Sequence, residues 1–240
     1  MIPAHVIQLD NALRAAGGGD VQAARKQIPW LLRDIAEDAA QGAFARWGMS
    51  TVIDENTGEA VLDPNIYRML VDAASMDATW PIANAGLLHV YGYLLSRTPT
   101  PYGLKRERWL AGDLARGLGL AGDAFTPWRS GAGTLLAEVT AALDGHPGLS
   151  SRRQSITLTE RHSSGALMRT VVSAADDGSV LSYAQGDGAQ WTWITAFPLT
   201  LTPDQWRCQL DPVPRLRYNA VVSAAGPGER LDDRRSWDAR

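Results

Sequence analysis

The sequence predicts an α+β fold. An N-terminal all-helical half of about five to six helices, with one small hairpin, packs on a C-terminal antiparallel β-meander of about five strands. Two observations carry this. Up to residue 145 apolar residues recur at helical spacing, and beyond it they alternate. Ser-Gly and Asp-Gly turns then cut the second half into short runs. Residues 146–154 form the natural joint, giving a helical region 1–145, a β region 152–224 and a flexible tail 225–240. A meander of this size has an apolar face to cover, and the helical half can cover it, so the reading leans to one integrated body.

Taken in order, Ile28, Leu31, Leu32, Ile35 and Ala39 make the first clear stripe, with Pro29 starting or kinking its helix. Residues 50–63 resemble a hairpin around Asn56-Thr57-Gly58. Pro64, Pro81, Pro101 and Pro127 each mark a helix start, because proline at the first helical position lacks only a donor that would be unpaired anyway. Asp63, Thr100 and Thr126 supply N-cap oxygens. Strands are expected over 155–161, 166–173, 179–185, 190–197 and 215–222, with Thr202 and Gln205 as a capping box opening a short helix.

Composition narrows the function. Hydrophobic residues make up 45% and charged residues 20%, enough to bury a sizeable core. The net charge of −3 gives no footprint for general nucleic-acid binding, and no window suits a membrane span. The single cysteine, Cys208, and a start without a cationic leader point to a cytoplasmic protein. Two lysines against 21 arginines (23 basic residues minus two) suggest a GC-rich bacterial coding sequence. The oligomeric state is left open.

No spacing matches a dinucleotide loop, a P-loop, a nucleophile elbow or a zinc helix, so no metal and no cofactor are expected. The carboxylate pair Asp54-Glu55 sits beside the proposed hairpin turn and is not favoured as an acid/base pair. What remains is the stretch 82–110. Residues 82–96 read as a buried helix, apolar on nearly all sides, with Gly86 and Gly92 where another group comes close. Asn84, His89, Tyr93, Ser96 and Arg97 share one line on it. His89 is the candidate acid/base and Tyr93 the candidate donor. Next, Lys105, Arg106 and Arg108 crowd what reads as a helix start, against the dipole, and form the candidate anion seat. Arg215 and Arg217, sharing a strand face, are a second candidate clamp. Tyr102, Trp109, Trp191 and Trp193 are candidate walls of an aromatic pocket, with Thr195 and Phe197 continuing the strand row.

The expected function is a cytosolic bacterial enzyme acting on a small organic anion by acid/base chemistry or group transfer. Two rivals stand beside it: a non-catalytic protein-binding or regulatory module, and group transfer from a nucleotide or tRNA carrier. Exposure separates the first two. A reachable His89 in an aromatic cleft favours the enzyme, and a sealed His89 favours binding.

Overall fold

The computed structural model describes residues 3–101, 103–129, 133–145, 154–162, 164–175, 178–186, 189–200, 202–207, 216–221 and 229–236. Among these the N-terminal part is helical and the C-terminal part is an antiparallel sheet, an α+β arrangement. Helices α1 (Ala4–Gly17), α2 (Val21–Gln27) and α3 (Pro29–Ala40) come first. Asp20 caps α2 by accepting from the Ala23 amide at 2.8 Å, and Pro29 stands in the first turn of α3. Strand β1 (Met49–Thr51) leads to a turn at 54–58, closed by the bridge between Ile53 and Ala60. Helix α4 (Pro64–Ala73) starts as expected, Asp63 accepting from the Asn65 amide at 2.7 Å.

The three later prolines do not open helices. The Trp80–Pro81 bond is cis and leads into β2 (Ile82–Asn84), which pairs antiparallel with β1. Pro101 lies in the tight turn between β3 (Pro99–Thr100) and β4 (Gly103–Leu104). Pro127 lies among turns, and α7 (Leu135–Gly145) begins eight residues later, after Thr134. The fixed φ of proline suits turns and extended entries as well as first helical turns. Consequently the expected helix over 82–96 is shorter, running over 85–94. Its middle, Leu87–Gly92, is π-helical. Asn84 sits outside it as a cap, its Oδ1 accepting from the Gly86 amide at 2.9 Å. Helices α5 (Glu107–Leu110) and α6 (Asp113–Gly117) are short.

Strands β5 (Gln154–Arg161), β6 (Leu167–Ala175), β7 (Gly178–Gly186) and β8 (Trp191–Leu199) are joined consecutively, all antiparallel. Helix α8 (Pro203–Arg207) opens with the expected capping box. The Thr202 amide donates to Gln205 at 3.0 Å, and the Gln205 amide to Thr202 Oγ1 at 3.2 Å. The expected strand over 215–222 is a correction. Residues 216–221 turn at Tyr218 and Asn219, both at positive φ, and touch β1 through one bridge. Strand β9 (Glu229–Ser236), inside the expected tail, pairs with β5 instead, so the order is β8-β7-β6-β5-β9.

The helical part closes over the free edge of β8. The Gly48 amide donates to the Trp193 carbonyl at 2.9 Å. Gly117 of α6 packs on Val180, and Arg108 reaches Thr195, which by strand parity lies on the opposite face. Leu31, Leu70, Leu87, Leu181 and Ile194 belong to one hydrophobic cluster spanning both regions. No helix among the described residues is long and apolar enough to cross a membrane.

Candidate functional site

The candidate site grows from an irregularity in β8. Tyr183 pairs with Thr195 and Ala184 with Trp193, so Ile194 is an extra residue, a β-bulge. The bulge interrupts the expected row from Trp191 to Phe197. It also turns the Ile194 carbonyl towards His89, whose Nδ1 lies 2.6 Å away. A carbonyl only accepts, so Nδ1 carries the proton. Nε2 lies 2.9 Å from Ser50 Oγ, and Ser50 Oγ lies 2.8 Å from the Asn219 carbonyl. That carbonyl also accepts from the Thr51 amide at 3.1 Å. Ser50 can therefore donate to His89 and leave Asn219 satisfied. It can equally receive a proton-bearing Nε2 and donate to Asn219.

His89 is sealed, 2% exposed. Burial first, then the charges of Arg108 and Lys105, hold its pKa well below the ordinary 6.5, so it is neutral near pH 7. Tyr93, one turn on, stacks against the imidazole at 4.7 Å and is equally buried. Burial also raises the Tyr93 hydroxyl, keeping it protonated.

Above Tyr93 stand two cations. Lys105 Nζ lies 5.0 Å from the ring centroid and pairs with Asp54 at 2.6 Å. Burial lowers the Lys105 pKa, assisted by Arg108 and opposed by Asp54. Burial raises Asp54, but Lys105 and the Asn56 and Thr57 amides outweigh it and hold the carboxyl below its usual value. Arg108 is half-buried between the Tyr93 and Phe197 rings, 5.1 and 5.3 Å from their centroids. Its Nη1 donates to Thr195 Oγ1 at 2.9 Å. No carboxylate lies within ion-pairing distance of Arg108 among the described residues.

The sheet continues this corner as a polar surface. Thr195 and Thr170 both pair with Tyr183, and Gln185 lies two residues along, so all four share a face. Thr170 Oγ1, the Tyr183 hydroxyl and Gln185 Nε2 are buried without a hydrogen-bond partner among the described residues. The Tyr183 hydroxyl lies beside Gln185 and the Arg217 backbone but closes no aligned bond.

The structure thus brings His89, Tyr93, Lys105 and Arg108 together and sends the other candidates elsewhere. Lys105 and Arg106 precede α5, a single turn, so no long helix opposes them. Arg106 turns away to Asp10 at 2.8 Å. Arg217 is buried in an ion pair with Glu160. Trp109 is core, packed edge-on to Phe125, its indole donating to the His89 carbonyl at 3.2 Å. Trp191 stacks under Arg169, and the Trp193 indole donates to Asp144 at 2.9 Å, so neither meets Trp109 in a common pocket. Tyr102, Arg215 and Cys208 lie outside the described residues.

Sequence reasoning missed Ser50, Asn219 and the Ile194 carbonyl, which carry no local signal. Asp54 was visible only as a turn residue, a role it also fills by accepting from the Asn56 amide at 2.9 Å. No group of three or more His, Cys, Asp or Glu among the described residues could hold a metal ion. No family model, curated protein or solved structure matches the chain. The functional reading therefore rests on geometry alone.

Proposed function

We propose that the protein binds a small organic anion at Arg108 and takes up a proton at His89 as it does so. The observation that carries this is Arg108 itself. It is a half-buried guanidinium held by two rings and one threonine, with no carboxylate paired to it among the described residues. Arginine forks match carboxylate and phosphate groups, and a ligand carboxylate would supply the missing counter-charge. Lys105, already paired with Asp54, adds field more than contact. The buried Thr170, Tyr183 and Gln185 groups suit a ligand that carries neutral oxygens besides its charge.

The proton follows from the same geometry. Burial chiefly keeps His89 neutral, with Arg108 and Lys105 adding to it, and an anion on Arg108 offsets the Arg108 part and raises the His89 pKa. The Ser50 hydroxyl can serve either protonation state, donating to neutral His89 or accepting from the imidazolium and turning to Asn219. Coupling of this kind is reciprocal, so acid also strengthens anion binding.

The test is calorimetry with a panel of metabolite acids in buffers of different ionisation enthalpy. A binding acid should bring net proton uptake that grows as the pH is lowered. Arg108→Gln should abolish binding, and His89→Gln should bind without the proton. Unchanged binding by Arg108→Gln places the seat elsewhere, and no proton uptake by the wild type removes His89 from the reading.

One observation favours an acid/base enzyme as a second reading. Ser50 Oγ stands 2.9 Å from an imidazole nitrogen whose partner nitrogen is fixed by a carbonyl, the relation in which histidine accepts a hydroxyl proton. Ser50 is fully buried, so turnover requires opening. Covalent labelling of Ser50 by a fluorophosphonate, read by mass spectrometry, would favour this reading, and its failure would count against it.

A further inference from the structure

A second feature lies between α1 and α3, away from the 82–110 stretch. A cavity of about 300 Å³ opens between α1, α3, residues 127–129 and residues 133–134. Its aromatic wall is made of Trp30, Trp128 and His5. The two indoles meet edge to face at 6.1 Å, and His5 stacks on Trp128 at 5.0 Å. The Trp30 N–H is engaged by Gln8 at 3.0 Å, so its remaining offering is π surface.

The wall holds two carboxylates, Asp34 and Glu37, and two arginines, Arg33 and Arg129, with no ion pair between them among the described residues. Asp34 is half-buried and has no hydrogen bond or ion pair among the described residues. One turn further along α3, Asp38 is fully buried behind Thr134. Its oxygens accept from the Thr134 hydroxyl at 2.5 Å and from the Tyr91 hydroxyl, and no cation among the described residues pairs with it. Glu37, exposed like the arginines, is the second carboxylate of the wall. The cations present, Arg33 and Arg129, are exposed at the rim, and Arg129 leans to Asp123 at 3.9 Å.

We infer that this cavity binds an organic ammonium ion, with Asp34 as its counter-charge and Trp30 and Trp128 as its ring faces. An unpaired carboxylate in a partly dry wall gains from a cation more than a solvated one does. Indole faces attract the same charge, most strongly when it sheds water. The two features select one ligand class, which neither selects alone. The state of Asp34 agrees. Burial pushes its pKa up to about 6, Asp38 and Glu37 adding to the rise and Arg33 opposing it. Glu37, Arg33, Arg129, His5 and the Thr134-shielded Asp38 are the other charged or titratable groups around this cavity.

The experiment is a calorimetric titration of the full chain with tetramethylammonium and with phenethylammonium. It is run at about pH 8 and about pH 5, on either side of the Asp34 titration. Saturable binding is expected at the higher pH, weaker by about tenfold at the lower, where Asp34 is mostly protonated. Asp34→Asn should weaken binding by about tenfold or more at the higher pH while leaving the circular dichroism spectrum unchanged. Trp128→Leu should weaken tetramethylammonium in particular. Arg108→Gln should leave both titrations untouched, which separates this site from the anion seat. The inference is overturned if neither ammonium ion saturates, if Asp34→Asn binds as the wild type does, or if benzoate binds here and is lost in Arg129→Gln.

Discussion

Around Tyr93, Asp54 meets Lys105 at 2.6 Å and two backbone amides as well, and the unpaired charge is a cation, Arg108. Beside Trp30 the reverse holds. Among the described residues Asp34 has no ion pair, and buried Asp38 accepts from the Thr134 and Tyr91 hydroxyls with no cation paired to it. Both regions pack charge against aromatic rings, yet burial drives His89 towards neutrality in one and Asp34 towards protonation in the other. The difference teaches that a charge is informative where its neighbours leave it uncompensated. Lys105, Arg106 and Arg108 look alike in sequence, and only Arg108 is left without a carboxylate.

The strongest challenge to this contrast is to break the buried pair on the Tyr93 side. Lys105→Met strands Asp54, which is 1% exposed, and should cost about 3–5 kcal/mol by denaturant unfolding. A loss below about 1 kcal/mol would mean that the pair is no more than a surface bridge. Next comes the frame beneath it. A Cβ on Gly86 would stand 2.8 Å from Trp47 and 2.9 Å from Leu136. Gly86→Ala should therefore cost about 1–3 kcal/mol through overpacking, whatever it gains in helix propensity. A neutral result would show that the π-helical run can shift to make room.

The two titrations sharpen the comparison because their signs are opposite. The folded-state pKa of His89 lies below its unfolded value of about 6.5. Its contribution is present above that value and is lost as pH falls. The wild type should lose about 1 kcal/mol between about pH 6.5 and 5.5 from this group, and His89→Gln should lose less over the same range. The folded-state pKa of Asp34 is raised to about 6, so its contribution is present below the unfolded value and is lost as pH rises through about 6. Asp34→Asn should flatten that loss and raise the melting temperature slightly above pH 7, the smallest of these effects. A lowered melting temperature would mean that Asp34 has a cationic partner after all.

Part of this was legible in the chain. Alternation and Gly turns located β5 to β8, because a sheet face repeats every two residues whatever packs on it. Pro64 with Asp63, and Thr202 with Gln205, were readable because capping is a contact within one turn. His89, Tyr93, Lys105 and Arg108 stood out as reactive side chains close in sequence. Pro81, Pro101 and Pro127 misled because proline fixes φ without choosing between a helix and a turn. The register of β9 on β5 and the turn at Asn219 had no local sign at all.

The sequence by itself determined the α+β class, the four consecutive strands and the short stretch that holds His89, Tyr93, Lys105 and Arg108, all of which depend on short spacings. Tertiary structure alone decided which cation stays unpaired, since Asp54 and Asp10 reach Lys105 and Arg106 across 51 and 96 residues. It also decided that a bulged carbonyl at Ile194 would fix the proton of His89, and that Trp128 would join Trp30 and Asp34 of α3 in one cavity wall from 94 residues away. Pairing and desolvation are properties of surroundings, and the surroundings of a buried group are assembled from residues far apart in the chain.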